Sequence, residues 1–140
     1  QSSSSKINEI KKIGANETVS RENNLIKELG KNKFDVVIDL VSGENWSQLL
    51  EILKPGGRYA TSGAIAGPMV SLDIRTLYLK DLTFYGCTYQ PIEVFKNLIK
   101  YIEKGEIKPL VAKTYPLKEI KKAQEDFLLK KHVGKLVLLP

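Results

Sequence analysis

Helix-type and strand-type segments alternate along this chain from Lys6 to about Thr88, and this alternation limits the possible folds more than any other feature. The helical segments repeat apolar residues every three or four positions, whereas the strand-type runs are short and rich in β-branched residues. Such alternation is typical of proteins in which helices cover a parallel sheet. The sequence therefore predicts the α/β class, with a doubly wound parallel sheet flanked by helices.

Six segments carry the helical pattern, and most of them run up to a glycine. Glycine after the last periodic residue is a common helix stop, because it adopts a left-handed conformation at no steric cost. Either Asn23 or Asn24 is the expected N-cap of the second helix. The predicted helices are residues 6–14, 23–30, 44–57, 73–81, 91–105 and 117–131, the last continuing towards Gly134.

Six shorter runs have strand character: residues 17–20, 35–41, 58–63, 82–88, 111–116 and 135–139. The second run, DVVIDLV, is nearly all apolar, which favours a strand buried on both faces of a parallel sheet. Beyond Pro109 the pattern becomes strand, long helix, strand. We therefore expect two parts, residues 1–108 and residues 109–140, with the second packing elsewhere.

Composition excludes several classes of protein. One cysteine and one histidine form no internal disulfide and no four-ligand zinc site. Nineteen of the 22 basic residues are lysines spread among carboxylates on helix faces, a pattern of solvated surfaces rather than of nucleic-acid binding. No apolar run approaches the roughly 20 residues that cross a bilayer, and no secretory signal is present. We expect a cytoplasmic protein without nucleic-acid or membrane partners, and an upstream segment before Gln1.

Small or hydroxyl residues follow three consecutive predicted strands. Ligands of open parallel sheets bind outside the carboxyl ends of the strands, so these strand tips are the first candidates for a site. The tips are Ser42–Gly43, the stretch from Ala64 to Gly67, and Cys87–Tyr89. Plain turn glycines are the alternative for any single tip, but three in succession favour a ligand site.

The titratable residues offer no nucleophile–base constellation, so no catalytic residue and no metal ligand are predicted. Asp35 is interpreted as a strand-entry residue and Asp39 as a buried, hydrogen-bonded acid. His132 lies near a helix end, where the helix dipole favours a cation. Cys87 is interpreted as a half-buried small residue. Tyr59 and Tyr85 are expected in core or edge packing.

Several motifs occur in an order that resembles a known family. They are DVVID with VSG, LLEILKPGGRYATSG, LTFYG, YIEKGEIKP, YPLKEIKKAQE and GKLVLLP. This order is similar to the C-terminal part of medium-chain dehydrogenase/reductases, the zinc-binding dehydrogenase superfamily, especially their quinone-oxidoreductase-like branch. The resemblance implies a partial Rossmann-like domain that binds a nicotinamide nucleotide, in an oxidoreductase that transfers a hydride to or from a quinone, enone or alcohol.

The resemblance also implies residues that contact the nucleotide. Ser4, Ser5 and Lys6 match the end of the second Rossmann strand, where the family places a lysine near the 2′-phosphate of NADP. An acid there would favour NAD; none is present, so NADP is expected. Ser20 matches a position where relatives often have a tyrosine near the adenosine phosphate, and Arg21 follows it.

The strand tips match the remaining contacts. Val41, Ser42 and Gly43 would pass the adenosine ribose and the pyrophosphate. Lys130 or Lys135 would reach back to the nucleotide, with an exposed surface lysine as the alternative. The residues that would flank the nicotinamide are Ser62, Gly63, Ala64, Gly86, Cys87, Thr88 and Tyr89.

The family's first strand and its glycine-rich G-x-G-x-x-G turn have no match in this chain. We therefore expect a partial cofactor domain that is not active by itself. One alternative is a class I methyltransferase-like domain that binds S-adenosylmethionine, because FDVVID and LLEILKPGGR also resemble that family. Another is a non-catalytic dimerisation module, since Leu82–Cys87 matches an edge strand that pairs between subunits in the reductases. A homodimer through this strand is expected.

Overall fold

The computed structural model describes residues 6–20 and 22–140 and confirms the predicted α/β class with parallel strands flanked by helices. Its contacts divide the chain into two compact units, residues 15–90 and residues 6–14 with 91–140. The boundary placed after residue 108 stays a prediction. In chain order the elements are α1 (Ile7–Lys12), α2 (Leu25–Leu29), β1 (Phe34–Asp39), α3 (Trp46–Glu51), β2 (Leu53–Thr61), α4 (Ile74–Leu79), β3 (Thr83–Gly86), α5 (Ile92–Glu103), β4 (Val111–Pro116), α6 (Ile120–Leu129) and β5 (Lys135–Leu139).

The first unit contains a three-stranded parallel sheet in the order β1-β2-β3. Helices α2 and α3 supply Leu25, Trp46 and Leu50 to its core, where they join Val37 of β1 and Tyr59 of β2. Asn24 caps α2 by accepting a hydrogen bond from the Lys27 amide at 3.0 Å, which stabilises the helix start. The predicted N-cap at Asn24 is confirmed.

Only one face of β1 is buried, so the expectation of burial on both faces is wrong. Val37 and Asp39 point into the core, whereas Val36 and Ile38 on the opposite face are 43% and 72% exposed. Successive side chains of a strand point to opposite faces, and the core helices cover one of them. The apolar composition indicated that burial of either face is favourable. It did not indicate which elements cover each face.

Several predicted element boundaries differ from the structure. Helix α3 ends at Glu51, and Leu53 begins β2, because Pro55 disfavours a helical conformation in the residue before it. Helix α6 ends at Leu129, where Lys130 takes the left-handed conformation (φ 53°) expected at Gly134. The strand predicted for residues 17–20 is reduced to an isolated bridge at Ser20.

The second unit contains the parallel pair β4 and β5, with α6 between them in the sequence. Tyr115 of β4 is its most buried side chain and donates a short hydrogen bond to Asp126 of α6. Lys113 donates to the same carboxylate at 3.0 Å. This cluster fixes α6 to β4. The strands and the long helix predicted beyond Pro109 are confirmed.

Candidate functional site

The carboxyl ends of the three strands in the first unit lie side by side. Asp39 of β1 is paired with Thr61 of β2, and Thr61 is paired with Gly86 of β3. Because all three strands are parallel, the segments that follow these residues leave from one edge of the sheet. The tips predicted from the sequence therefore converge along one edge.

The segment after β1 lines a cavity of about 490 Å³. A volume of this size falls within the roughly 300–1,000 Å³ of small-molecule sites. Ala66 of the second tip belongs to this lining, whereas Ser62–Ala64 and the residues after β3 lie along the same sheet edge outside it. The lining consists of Leu25, Trp46, Leu49, Ala66 and residues 38–45, which include the predicted site residues Val41, Ser42 and Gly43.

Several backbone amides at these tips already donate hydrogen bonds within the chain. The Val41 and Ser42 amides donate to Asp39 Oδ1, both at 2.9 Å. The Ser62 amide donates to the Asp39 carbonyl at 3.0 Å, and the Cys87 amide donates to the Thr61 carbonyl at 2.8 Å. These four amides shape the tips themselves. A ligand at this edge would therefore contact side chains, carbonyls and other amides rather than these four.

Close packing holds the first two tips together. A Cβ on Gly63 would lie 2.6 Å from the Leu40 carbonyl oxygen, closer than real Cβ contacts allow. A Cβ on Gly43 would lie 3.0 Å from the Ala66 side chain, and Gly43 itself has a left-handed φ of 95°. Glycine is required at both positions, at one by close approach and at the other also by its backbone conformation.

The third tip is open. A Cβ on Gly86 would meet no atom within 4 Å. Thr88 and Tyr89 are exposed, with Tyr89 at 86%, and Cys87 is half-buried as expected. Ser62 and Ala64 at the second tip are exposed as well. These side chains form an accessible edge.

A buried chain of hydrogen bonds underlies the first tip. Trp46 Nε1 donates to the Tyr59 hydroxyl, which donates to Asp39 Oδ2, each at 2.7 Å. All three residues are at most 6% exposed. Burial, and after it the hydrogen bond to Asp39, raise the pKa of Tyr59. The interpretation of Asp39 as a buried, hydrogen-bonded acid and of Tyr59 as a core residue is confirmed.

The sequence did not reveal this hydrogen-bond chain as a unit. Trp46, Tyr59 and Asp39 come from three elements, and no spacing in the sequence links them. The available signal was that Asp39 was interpreted as buried and Tyr59 as a core or edge residue, both on predicted strands. Because buried polar groups require partners, a hydrogen bond between the two could have been expected.

The remaining predicted site residues lie outside these three tips. Lys6, Lys130 and Lys135 belong to the second unit, and Ser20 belongs to the first. The Lys6 ammonium donates to the Lys130 and His132 carbonyls at 2.7 and 3.0 Å. The Lys130 ammonium lies 3.3 Å from the centroid of the Phe127 ring. Lys135 is exposed at the start of β5. The Ser20 hydroxyl accepts from the Glu22 amide at 3.4 Å. Three predicted contacts fall outside the described residues: Ser4, Ser5 and Arg21.

Within residues 6–20 and 22–140, no three side chains of the His, Cys, Asp or Glu type come together as a metal site. The helices of the same residues are also too short or too polar to cross a bilayer.

A family model described as zinc-binding dehydrogenase matches residues 13–138. The mouse (Mus musculus) quinone oxidoreductase is 32% identical over 112 residues, which cover 75% of this chain and 33% of the mouse protein. The chain therefore spans about a third of the length of this curated relative.

Solved structures show the same similarity. A crystal structure from Sinorhizobium meliloti 1021, assigned as an alcohol dehydrogenase, superimposes with a TM-score of 0.88 at 44% identity, covering 99% of this chain and 40% of that one. The Bacillus subtilis protein yhfP, solved with NAD bound, superimposes with a TM-score of 0.79 at 25% identity, covering 98% of this chain and 45% of that one.

Proposed function

Because this chain belongs to the zinc-binding dehydrogenase family, we propose that it is the cofactor-binding part of an oxidoreductase that transfers a hydride between a nicotinamide nucleotide and a quinone, enone or alcohol. The observation that carries this proposal is the register of three parallel strand ends, Asp39, Thr61 and Gly86, beside a cavity. Nucleotides bind at this edge of open α/β sheets.

The residues at the sheet edge fit part of a dinucleotide. The cavity beside Val41–Gly43 has a volume suited to a small ligand and is lined by both apolar and hydrogen-bonding groups. Glu44 and Asn45 on its wall offer acceptors to sugar hydroxyls. A carboxylate repels phosphate, so this wall suits a ribose better than the pyrophosphate.

The proposed roles follow from position along the edge. Val41–Gly43 would pack against a ribose, while Ser62–Ala64 and Gly86–Tyr89 would flank the nicotinamide. The bound nicotinamide supplies the hydride chemistry, and this chain supplies orientation. The open space at Gly86 leaves room for a ring to approach the backbone there.

NADP is the proposed nucleotide. A lysine at position 6, with no acid among Ser4–Lys6, favours the 2′-phosphate over a free 2′-hydroxyl. The Lys6 ammonium donates two hydrogen bonds, to the Lys130 and His132 carbonyls. Because an ammonium has three donors, one remains for a phosphate. Lys130, Lys131 and Lys135 add positive charge nearby in the same unit. NAD is the alternative, supported by the nucleotide bound to yhfP.

Hydride transfer by this chain alone is not expected. The chain spans 33% of the mouse relative, and the glycine-rich turn that holds the pyrophosphate at a helix N-terminus has no match in it. We propose that residues outside these 140 complete the nucleotide site and contact the substrate.

Titration with NADPH, NADH and S-adenosylmethionine tests the function. Trp46, the single tryptophan of these 140 residues, lines the cavity, so the energy transfer to a reduced nicotinamide that is lost in Trp46→Phe reports binding near the cavity. We expect saturable NADPH binding by the natural-length protein. Saturable S-adenosylmethionine binding without nicotinamide binding would overturn the proposal in favour of a methyltransferase.

Substitution of Lys6 tests the preference for NADP. Lys6→Gln is expected to raise the Kd for NADPH roughly tenfold, the effect of losing a charged hydrogen bond, while leaving that for NADH unchanged. Lys12→Gln at the other end of α1 is the matched control, because it removes the same charge from the same helix. Equal losses for both nucleotides would contradict the role of Lys6.

We also propose a homodimer through the free edge of β3. Within the described residues β3 pairs only with β2, and LTFYGC carries no charge that would discourage edge pairing. Tyr85→Lys is expected to shift a dimer towards monomer in sedimentation at tens of micromolar, because like charges would meet across the pair. Tyr78→Lys on α4 is the control. A monomeric wild-type protein would refute this proposal.

A further inference from the structure

Three elements of the first unit are joined by one continuous set of hydrogen bonds that ends in the backbone of the first tip. It begins at the indole of Trp46 on α3, passes through the hydroxyl of Tyr59 on β2, and reaches the carboxylate of Asp39 on β1. The other carboxylate oxygen accepts the Val41 and Ser42 amides. The carboxylate thus links the core to the segment that lines the cavity.

The backbone that Asp39 holds is in an unusual conformation. Ser42 has a φ of 59° and Gly43 a φ of 95°. A left-handed conformation is unfavourable for a residue with a side chain, so Ser42 needs compensating interactions. The two hydrogen bonds to Asp39 Oδ1 provide them. Unfavourable backbone conformations that persist in this way occur often at ligand sites.

The same set of residues forms part of the cavity wall. Asp39 and Trp46 line the cavity together with Val41, Ser42 and Gly43. A movement of the Asp39 carboxylate would therefore change the cavity wall both at Trp46 and at Val41–Gly43. Packing alone does not require this arrangement, because a phenylalanine at position 59 and an apolar residue at position 39 would fill a core without burying polar groups.

We propose that Asp39 is a positioning residue for the nucleotide, held in place by Tyr59 and Trp46, and that it sets the conformation of the turn Val41–Gly43 against which the ribose binds. This inference rests on the proposed function, since it assigns a role within that nucleotide site. Asp39 acts chiefly through the turn, because it is only 6% exposed and its carboxylate already accepts hydrogen bonds from Val41, Ser42 and Tyr59.

The test compares substitutions of Asp39 with the same substitution at Asp35, in the natural-length protein. Asp35 lies near the other end of β1, is paired with Lys54 at 3.0 Å, and its side chain is 75% exposed. The Kd for NADPH is measured by calorimetry. Hydrogen exchange at the Val41 and Ser42 amides, measured without ligand, reports the turn itself.

Asp39→Ala is expected to raise the Kd for NADPH roughly tenfold or more and to accelerate exchange at both amides, because it removes a charged acceptor of two hydrogen bonds. Asp39→Asn is expected to stay within about threefold of wild type, since its carbonyl oxygen can still accept both amides. Asp35→Asn should change neither quantity. Rescue by asparagine separates the acceptor role from a need for charge.

Each failure has its own signature. A wild-type protein that binds NADPH while Asp39→Ala binds it equally well overturns this inference and leaves the proposed function standing. A wild-type protein that binds no nicotinamide nucleotide overturns both. If Asp39→Ala does not fold, Tyr59→Phe provides the test: it removes the donor to Asp39 Oδ2 and should raise the Kd about fivefold. An unchanged Kd in that variant overturns the inference.

Discussion

The close approach of Gly63 to the backbone of Leu40 allows the packing of the strand tips to be tested by adding one methyl group. In Gly63→Ala the new Cβ would lie 2.6 Å from the Leu40 carbonyl oxygen and 3.3 Å from its carbonyl carbon. The obstacle is main chain, so no side-chain rotation relieves it. The tips of β1 and β2 must separate by about 0.4 Å before the contact reaches even 3.0 Å.

Such a separation would lengthen the hydrogen bond from the Ser62 amide to the Asp39 carbonyl, which joins the same two tips at 3.0 Å. Overpacking of this kind costs about 1–3 kcal/mol. The loss of stability is expected near the upper end of that range, because a hydrogen bond worth about 1 kcal/mol is strained as well. The melting temperature falls by roughly 2–4 °C per kcal/mol in a chain of this size.

Gly86→Ala is the matched control, because it adds the same methyl group at the tip of the neighbouring strand. A Cβ there meets no atom within 4 Å, so the free energy of unfolding should change by less than about 0.5 kcal/mol. Urea denaturation of both variants and wild type, fitted with a common slope, measures the difference. Equal stabilities for Gly63→Ala and Gly86→Ala would refute the close packing of the tips.

Two further predictions concern pH. The pKa of Tyr59 is raised by burial first and by Asp39 second, so its contribution to stability is present below about pH 10 and is lost as the pH rises through the folded pKa. Tyr59→Phe should therefore flatten the alkaline fall in the free energy of unfolding, followed by urea denaturation from pH 8 to 11; an unchanged profile contradicts this. The hydrogen bond from Tyr115, and after it that from Lys113, lower the pKa of Asp126, so its contribution is present above about pH 4 and is lost as the pH falls through the folded pKa. In acid unfolding, the free energy of unfolding of Asp126→Asn should fall less steeply below pH 4 than that of wild type. An equally steep fall would contradict the pairing.

Local patterns in the sequence predicted the order of elements well. Strand β1 follows from the β-branched run DVVID, and the start of α2 follows from Asn24 before an apolar repeat. Parallel pairing then places the three strand ends at one edge, as the alternation of helices and strands predicted. These features depend on chemistry within a few residues, which a single sequence contains.

Features that depend on packing between elements were predicted less well. The sequence suggested burial of both faces of β1, yet Ile38 is 72% exposed. It also indicated a ligand site at the tips, but not that the Val41 and Ser42 amides donate to Asp39. Burial of the second face of β1 depends on elements outside the strand. The turn at Asp39, by contrast, is local, because both amides lie within three residues of the carboxylate, and it was not recognised.

The link between Asp39 and Tyr59 shows what additional information is needed. Tyr59 is paired with Val37 across the two strands, so Asp39, two residues further along β1, is its diagonal neighbour on the same face. Diagonal neighbours are farther apart than directly paired residues, so a long side chain such as tyrosine reaches across but a short one does not. A register shift of one residue would turn Asp39 to the opposite face and separate it from the hydroxyl. The pairing is irregular between Phe34 and Val36 but regular from Val36 to Asp39, so the geometry of the candidate site depends on this regular stretch.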